Sequence, residues 1–361
     1  ITVQYCFNII NLSGDVYCRV LWCANAPIGK ANEALNQLRA LGKKIFYVTN
    51  NSSKSREEYA QKCKKLGFIA DQIVCTAYVT ALYLKQKNFN KKVYIVGASG
   101  ITQELDNVGI AHTGIEVWWL FHCWQCIHFT LDPEVGAVTV GLDPYISFPK
   151  VMRAASYLSD PDCLFIATNT DEKFPLSSSN LVILWFTRKI SIIGLPFPPI
   201  SLSWRGFTVV YVRKQSLDGL WDATIIEKTG CLLLWKTWKS KGTLQINLEF
   251  YVNSVQLQNI VILTTVAERS PVVMGKPSVK MFSSIRDQYQ LDPSRTLMIG
   301  DRCNTDILFG KNCGLHTMVV LSGVTEMKDL EAWAASSDEE KHKLLADYYL
   351  PQLDDLIPLL E

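Results

Sequence analysis

The stretch LMIGDRCNTDI, residues 297 to 307, joins an apolar segment directly to a glycine and then to two aspartates, Asp301 and Asp306. A short apolar run of this kind predicts a strand that is buried on both faces of a parallel sheet. Ligands of open α/β folds bind beyond the carboxyl ends of such strands, so both carboxylates are expected in one crevice. Two carboxylates there repel each other unless a hard cation such as Mg²⁺ lies between or beside them. The other interpretation is a strand followed by an ordinary helix N-cap, with Asn304 or Thr305 as the capping residue.

Length and composition limit the classes of protein. The chain has 361 residues, 48% hydrophobic and 19% charged, so it can bury a large core and is expected to hold two domains. A net charge of +2 without a long basic run argues against nucleic acid and charged membrane surfaces as partners. The most apolar run, LVILWF at 181 to 186, is too short for a membrane span. Eleven cysteines without framework spacing, and no secretory signal, predict a cytoplasmic protein.

Strand-like and helix-like segments alternate on both sides of a central block. EALNQLRALG at 33 to 42 reads as a helix and KKIFYVT at 43 to 49 as a strand, and TLMIG at 296 to 300 repeats this pattern near the end. This alternation predicts an α/β fold with a parallel sheet. Strands GAVTVGL and CLFIATN in the central block predict a small α/β domain inserted into the larger one. The expected division is 1–92 and 271–361 for the large domain and 93–270 for the inserted domain.

Two segments break the alternation, residues 115–128 and 181–264. They contain eight of the ten tryptophans but show no sustained helical or alternating period. A structureless loop as long as the second segment is improbable inside a compact domain. Our hypothesis is that these segments, together with residues 1–19, derive from misassigned exons or a retained intron.

Polar residues follow two further predicted strands. FYVTNNSSKS places Thr49, Asn50 and Asn51 after a strand, where hydroxyl, amide and backbone N–H groups suit an anion; the alternative is an ordinary strand-to-helix turn. VVMGKPS fixes Lys276 between Gly275 and a proline, which suits a phosphate charge as well as a solvated surface lysine.

Donors, a fixed cation and a carboxylate pair for Mg²⁺ together are the parts that phosphoryl transfer requires. Asn169 and Asp171, in the inserted domain, either face a substrate or are simply solvated.

The sequence resembles the haloacid dehalogenase superfamily of phosphatases, in the branch of phosphoglycolate (glycerol-3-phosphate) phosphatase and pyridoxal phosphate phosphatase, the p-nitrophenyl phosphatase-like proteins. The resemblance covers roughly two thirds of the chain. It is carried by segments that include PIGKANEALNQLRALGK, VTNNSSKSREEY, TLDPEVGAVTVGLDPYISFPKVMRAASYL, CLFIATNTDEKFPL, VVMGKPS and GDRCNTDILFGKNCGL.

The resemblance implies a Rossmann-like core interrupted by an α/β cap, a Mg²⁺ cofactor and a reaction through an aspartyl-phosphate. It implies that Thr49 and Asn51, with Asn50 between them, bind phosphate and that Lys276 neutralises its charge. Asp301 is the implied metal ligand, and Asp306 is the acidic residue that supports it. A small phosphorylated metabolite is the implied partner, and related caps suggest a homodimer through the cap.

The first motif of the family departs from the pattern. The family has an apolar strand that ends in DxDG, in which the first Asp is the nucleophile and the second the general acid/base. Aligning VLW at 20 to 22 places Val16 and Cys18 at these positions; a shift by one residue places Asp15 and Tyr17 there. Neither register supplies both carboxylates. The sequence therefore leaves two hypotheses: a Mg²⁺-dependent phosphatase of small metabolites, or a catalytically dead pseudophosphatase that binds phosphate or a protein.

Overall fold

The computed structural model describes ten ranges of the chain: 8–12, 20–23, 26–115, 129–171, 188–192, 214–215, 221–226, 232–240, 243–251 and 255–360. The strands in these ranges are β1 (Asn8–Leu12), β2 (Trp22–Cys23), β3 (Ala26–Pro27), β4 (Lys44–Thr49), β5 (Ile73–Cys75), β6 (Lys92–Val96), β7 (Val135–Val140), β8 (Leu164–Ala167), β9 (Arg188–Ile192), β10 (Lys214–Gln215), β11 (Trp221–Ile226), β12 (Leu232–Ser240), β13 (Thr243–Tyr251), β14 (Val272–Val273), β15 (Thr296–Gly300), β16 (His316–Val320) and β17 (Tyr348–Leu350).

The α-helices are α1 (Ala31–Ala40), α2 (Arg56–Lys65), α3 (Thr76–Gln86), α4 (Ser99–Val108), α5 (Phe148–Leu158), α6 (Val255–Ala267), α7 (Lys280–Tyr289), α8 (Leu308–Asn312), α9 (Met327–Ala334) and α10 (Glu339–His342). Within the described part of the chain, the helices are too short or too polar to cross a lipid bilayer.

The large sheet has six parallel strands in the order β17-β16-β15-β1-β4-β5. All of β15 is buried, and β4 is buried from Ile45 onward, which is the pattern of strands covered on both faces. Helices α1, α3 and α7 contribute apolar residues to the same core. The α/β fold with a parallel sheet, predicted from the sequence, is confirmed.

Strand β1 occupies the middle of the large sheet, between β15 and β4. Its register pairs Asn11 with Ile299 and Leu12 with Val48. The sequence predicts no strand here, because the asparagines of NIINL interrupt the continuous apolar run that marks a buried parallel strand. The structure thus ends the central strand at Leu12, four residues before Val16.

A smaller sheet has four parallel strands in the order β14-β8-β7-β6, and helices α5 and α6 share its apolar core. Its residues correspond to the predicted inserted domain, whose boundaries stay a prediction. Val272 and Val273, just beyond the predicted boundary at 270, pair with β8.

Residues 188–251 contain a five-stranded antiparallel sheet in the order β10-β11-β12-β13-β9. This differs from the expectation of an irregular segment. In β13 the residues TLQINLEF alternate strictly between polar and apolar, which is the pattern of a strand. Residues 116–128, in the other unusual segment, lie outside the described residues.

A buried ion pair fixes the entry to α5. Lys150 Nζ lies 2.7 Å from Asp143 Oδ2, and both side chains are 0% exposed. The other oxygen of Asp143 accepts a hydrogen bond from the backbone N–H of Tyr145 at 2.8 Å. Each charge is therefore compensated inside the protein, as burial requires.

Replacing one partner of this pair should destabilise the protein strongly. We expect Lys150→Met to lower the free energy of unfolding by about 3–5 kcal/mol, because it leaves the Asp143 carboxylate buried without a counter-charge. Urea denaturation measures the change, with the exposed Lys65→Met as the matched control. The double variant Asp143→Leu/Lys150→Met should recover most of the loss; a loss as large as that of Lys150→Met would contradict this explanation.

Candidate phosphate and metal site

Three chain segments bring the predicted site residues to one place. Strand β4 ends in Thr49, the chain after β14 carries Lys276, and β15 runs into Asp301. The Nζ of Lys276 lies 3.4 Å from Oδ1 of Asp306, and these side chains are only 6% and 5% exposed. The structure therefore brings Lys276 to one of the two predicted carboxylates, Asp306.

Asp306 organises the loop after β15. Its Oδ2 accepts the backbone N–H groups of Asp301 at 3.2 Å and Arg302 at 3.0 Å. Its Oδ1 accepts the hydroxyl of Thr305 at 2.9 Å and also faces the Lys276 ammonium. These donors satisfy the hydrogen-bonding capacity of the buried carboxylate, so Asp306 holds both the loop and the lysine.

Asp301 presents its carboxylate at the carboxyl end of β15. Its Oδ2 accepts the backbone N–H of Val324 at 3.1 Å. No donor from the described part of the chain reaches the other oxygen, Oδ1. Gly323 allows the close approach, since a Cβ there would lie 2.1 Å from the Asp301 Cβ. Burial, and secondly the nearby Asp306 charge, raise the pKa of Asp301 to about 6.

The turn after β4 contains an unused donor. Asn51 is 7% exposed, and its Oδ1 accepts the Ser53 backbone N–H at 2.6 Å, which fixes the orientation of the amide. Its Nδ2 is buried and has no hydrogen-bond partner within the described residues. The Thr49 hydroxyl accepts the backbone N–H of Asn51 at 3.2 Å. A buried donor without a partner is costly, so this amide fits a ligand oxygen.

The side chain of Asn50, which the sequence predicts to bind phosphate, is bonded to protein groups instead. Its Oδ1 accepts the backbone N–H of Lys276 at 2.7 Å, and its Nδ2 donates to the Lys276 carbonyl at 3.0 Å. The Nδ2 also donates to Asp171 Oδ1 at 2.9 Å. The amide is fully used by protein groups. Asn50 therefore supports Lys276, and its side chain has no donor left for an anion.

A cavity of about 520 Å³ opens beside Lys276 and Asp171. It is lined by Thr170, Asp171, Lys276, Pro277, Arg302, Cys303, Asn304, Thr305, Val324, Thr325, Asp329, Trp333 and Leu344. Asp171 is thus a cavity residue rather than a merely solvated one, and burial raises its pKa. The N-cap interpretation of Asn304 and Thr305 is wrong, because the turn Cys303–Ile307 precedes α8 without a side-chain cap.

The described residues supply only part of the ligand set that a hard divalent cation needs. Asp301 offers one carboxylate oxygen that no described residue uses, and Mg²⁺ is typically bound by one or two carboxylates with water and substrate phosphate. Within the described ranges, no group of three or more His, Cys, Asp or Glu side chains could enclose a metal ion. The candidate nucleophile positions Asp15 and Val16 and the candidate acid/base positions Tyr17 and Cys18 lie outside those ranges.

A lysine, a carboxylate pair and an amide donor thus lie beyond the carboxyl ends of parallel strands, an arrangement that suits a phosphate group. Comparison with known proteins agrees. Residues 19–111 match the family model of haloacid dehalogenase-like hydrolases, and residues 273–354 match a second model of HAD-hydrolase-like proteins.

Two curated relatives align with nearly the whole chain. Human glycerol-3-phosphate phosphatase is 31% identical over 354 residues, which cover 95% of this chain and 88% of the relative. Phosphoglycolate phosphatase 2 of Arabidopsis thaliana is 29% identical over 354 residues, with 95% and 90% covered.

Two solved structures show the same fold. A p-nitrophenyl phosphatase from Archaeoglobus fulgidus superposes with a TM-score of 0.64 at 22% identity, covering 98% of this chain and 99% of that one. A glycerol phosphate phosphatase from Mycobacterium tuberculosis in complex with magnesium gives a TM-score of 0.60 at 19% identity, covering 98% and 78%. The chain belongs to the haloacid dehalogenase-like hydrolases, in their branch of phosphoric monoester hydrolases.

The raised pKa of Asp301 predicts a pH dependence of stability in metal-free protein. Between the ordinary value of 3.8 and about 6, the folded state binds the Asp301 proton and the unfolded state has released it. Stability must therefore fall as pH rises through this window. Urea unfolding in a chelator from pH 4 to 7 should show a shallower fall for Asp301→Asn than for the wild type. Identical slopes would exclude Asp301 as the source, and the exposed Asp162→Asn is the control.

Proposed function

We propose that this protein is a Mg²⁺-dependent phosphatase of small phosphorylated metabolites that acts by the aspartyl-phosphate route of its family. The observation that carries the proposal is the buried contact of 3.4 Å between Lys276 Nζ and Asp306 Oδ1 beside the carboxylate of Asp301. A cation and two carboxylates at the end of a parallel sheet suit a dianionic ester held against a divalent ion.

The residues have distinct roles in this proposal. Asn51 donates its free Nδ2 to a phosphate oxygen, and Thr49 holds the backbone of the same turn. Lys276 neutralises phosphate charge and is itself oriented by Asp306. Because these groups are fixed before a ligand arrives, little reorganisation opposes the stabilisation of the transition state.

Asp301 would hold the metal through Oδ1, while Asp306 would stay close without direct ligation, since both of its oxygens already accept protein donors. When bound, Mg²⁺ would supply positive charge to the phosphate oxygens. The magnesium in the Mycobacterium tuberculosis relative supports this choice of ion.

A second candidate function is a pseudophosphatase that binds phosphate or a protein without turnover. It is favoured by the first motif, where Val16 stands at one candidate nucleophile position and a valine cannot attack phosphorus. Asp15 is the substitute in the other register, but Tyr17 then stands at the acid/base position.

We propose phosphoglycolate or glycerol 3-phosphate as the preferred substrate, since two relatives that align with most of the chain carry these names. Pyridoxal 5′-phosphate is the alternative substrate. A cytoplasmic location and a homodimer through the cap complete the proposal, and both derive from sequence and family alone.

Restoring the first motif should decide between the two functions. We expect Val16→Asp/Cys18→Asp, or in the other register Tyr17→Asp, to raise Mg²⁺-dependent hydrolysis of p-nitrophenyl phosphate by a factor of 10² or more, on the order of the contribution of a lost nucleophile or acid/base. Phosphoglycolate and glycerol 3-phosphate should then be hydrolysed faster than pyridoxal 5′-phosphate. Repaired chains that stay inactive in both registers would argue against the family mechanism. Activity of the unaltered chain at the repaired level would reject the pseudophosphatase.

The next variant is made in whichever chain, unaltered or repaired, hydrolyses p-nitrophenyl phosphate. There we expect Lys276→Ala to lower kcat about 10²-fold or more, because the preorganised positive charge beside the phosphate is lost. The matched control is Lys280→Ala, which removes the same charge from an exposed position at the start of α7. Steady-state kinetics with p-nitrophenyl phosphate measure both variants. Equal activity of the two variants would remove Lys276 from the site.

A further inference from the structure

The side chain of Asn50 joins the large sheet to two segments that follow strands β8 and β14 of the smaller sheet. Asn50 is 8% exposed and follows β4 of the large sheet. Its amide pairs with the N–H and the C=O of Lys276 at 2.7 and 3.0 Å, so one side chain fixes both backbone groups of that residue.

The segment after β8 determines how the Asn50 amide is oriented. Asp171 Oδ1 accepts the second proton of Asn50 Nδ2 at 2.9 Å. If the amide were rotated by 180°, its oxygen would face both this carboxylate and the Lys276 carbonyl, and the pairing would become repulsive. Asp171 therefore favours the one orientation that can hold Lys276.

Asn169 completes the network. Its Nδ2 donates to the Asn50 carbonyl at 2.6 Å, and its Oδ1 accepts the backbone N–H of Asp171 at 3.0 Å. Gly275 allows the segments to meet, because a Cβ there would lie 2.7 Å from Asn50 Oδ1 and 2.9 Å from the Asn169 Cβ. The three segments are packed too closely for any larger residue at this point.

From these contacts we infer that Asn169 and Asp171 are positioning residues, which fix Lys276 through Asn50 and so make the lysine's placement depend on the inserted domain. They touch neither the metal nor the phosphate in this scheme. The functional meaning of the inference rests on the proposed phosphate site, but the positioning itself can be tested without any ligand.

The test is hydrogen exchange at the Lys276 backbone amide, measured by NMR on the full chain. We expect Asp171→Ala to speed this exchange about tenfold or more, because the hydrogen bond from Asn50 to a charged acceptor is lost. Asp171→Asn should recover most of the protection, since its Oδ1 can still accept the Asn50 proton. The exposed Asp162→Ala is the matched control, and the amides of β15 should exchange at the wild-type rate in all variants.

Wild-type protection of Lys276 in Asp171→Ala would overturn the inference, and so would an equal loss in Asp171→Asn. Should Asp171→Ala fail to fold, Asn50→Asp is compared with Asn50→Asp/Asp171→Asn, in which the donor and the acceptor are exchanged. Partial recovery of Lys276 protection in the double variant is expected, because Asp171→Asn can donate to the new carboxylate at position 50 while the Lys276 carbonyl still lacks its donor. Simple additivity of the two changes would contradict the network.

Titration with inorganic phosphate by calorimetry separates positioning from function. We expect Asp171→Ala to bind phosphate more weakly than the wild type and Asp171→Asn to recover most of the affinity. If the wild-type chain bound no phosphate while its exchange pattern followed the expectation, the proposed phosphate site would fail and the positioning role would stand. If phosphate binding were the same in the wild type and Asp171→Ala, the role of Asp171 at the site would be excluded.

Discussion

The buried pair of Lys276 and Asp306 is the constraint on which the rest of the site depends. Both side chains are almost removed from water, so each charge must find its compensation within the protein. Asp306 meets this requirement with two backbone N–H groups and the Thr305 hydroxyl in addition to the lysine. The same hydrogen bonds fix the backbone of Asp301. A single carboxylate thus sets the position of the cation and of the candidate metal ligand.

The lysine reaches this pair from a segment that leaves the smaller sheet. Residue 276 follows β14, which pairs with β8, and its backbone is then held by Asn50 at the end of β4. The site is therefore assembled where two sheets meet rather than within one domain. This arrangement gives the smaller sheet a direct physical connection to Lys276.

The scaffold and the first motif differ in how well they match the family. The family resemblance implies phosphate and metal roles for Thr49, Asn51, Lys276, Asp301 and Asp306. The central strand of the sheet is present as β1. The carboxylates that would form a covalent intermediate and transfer a proton are not both present in either register of residues 15–18. Binding and chemistry are thus separable here, because positioning a dianion needs donors and cations, whereas cleaving it also needs a nucleophile.

By itself, the sequence determined the α/β class, the ends of β4 and β15, and the residue types at the site, because apolar strands that run into polar residues reveal themselves locally. The capping box of Ser55 and Glu58 at α2 is also a local pattern, a serine followed three residues later by a glutamate. Only the tertiary structure decided that NIINL fills the central strand position, since its partners β4 and β15 are distant in sequence. Likewise, only the tertiary structure showed that the Asn50 side chain supports Lys276 instead of binding phosphate, and that Asp171 lines the cavity. Hydrogen bonds between residues more than 100 positions apart leave no local pattern in the sequence.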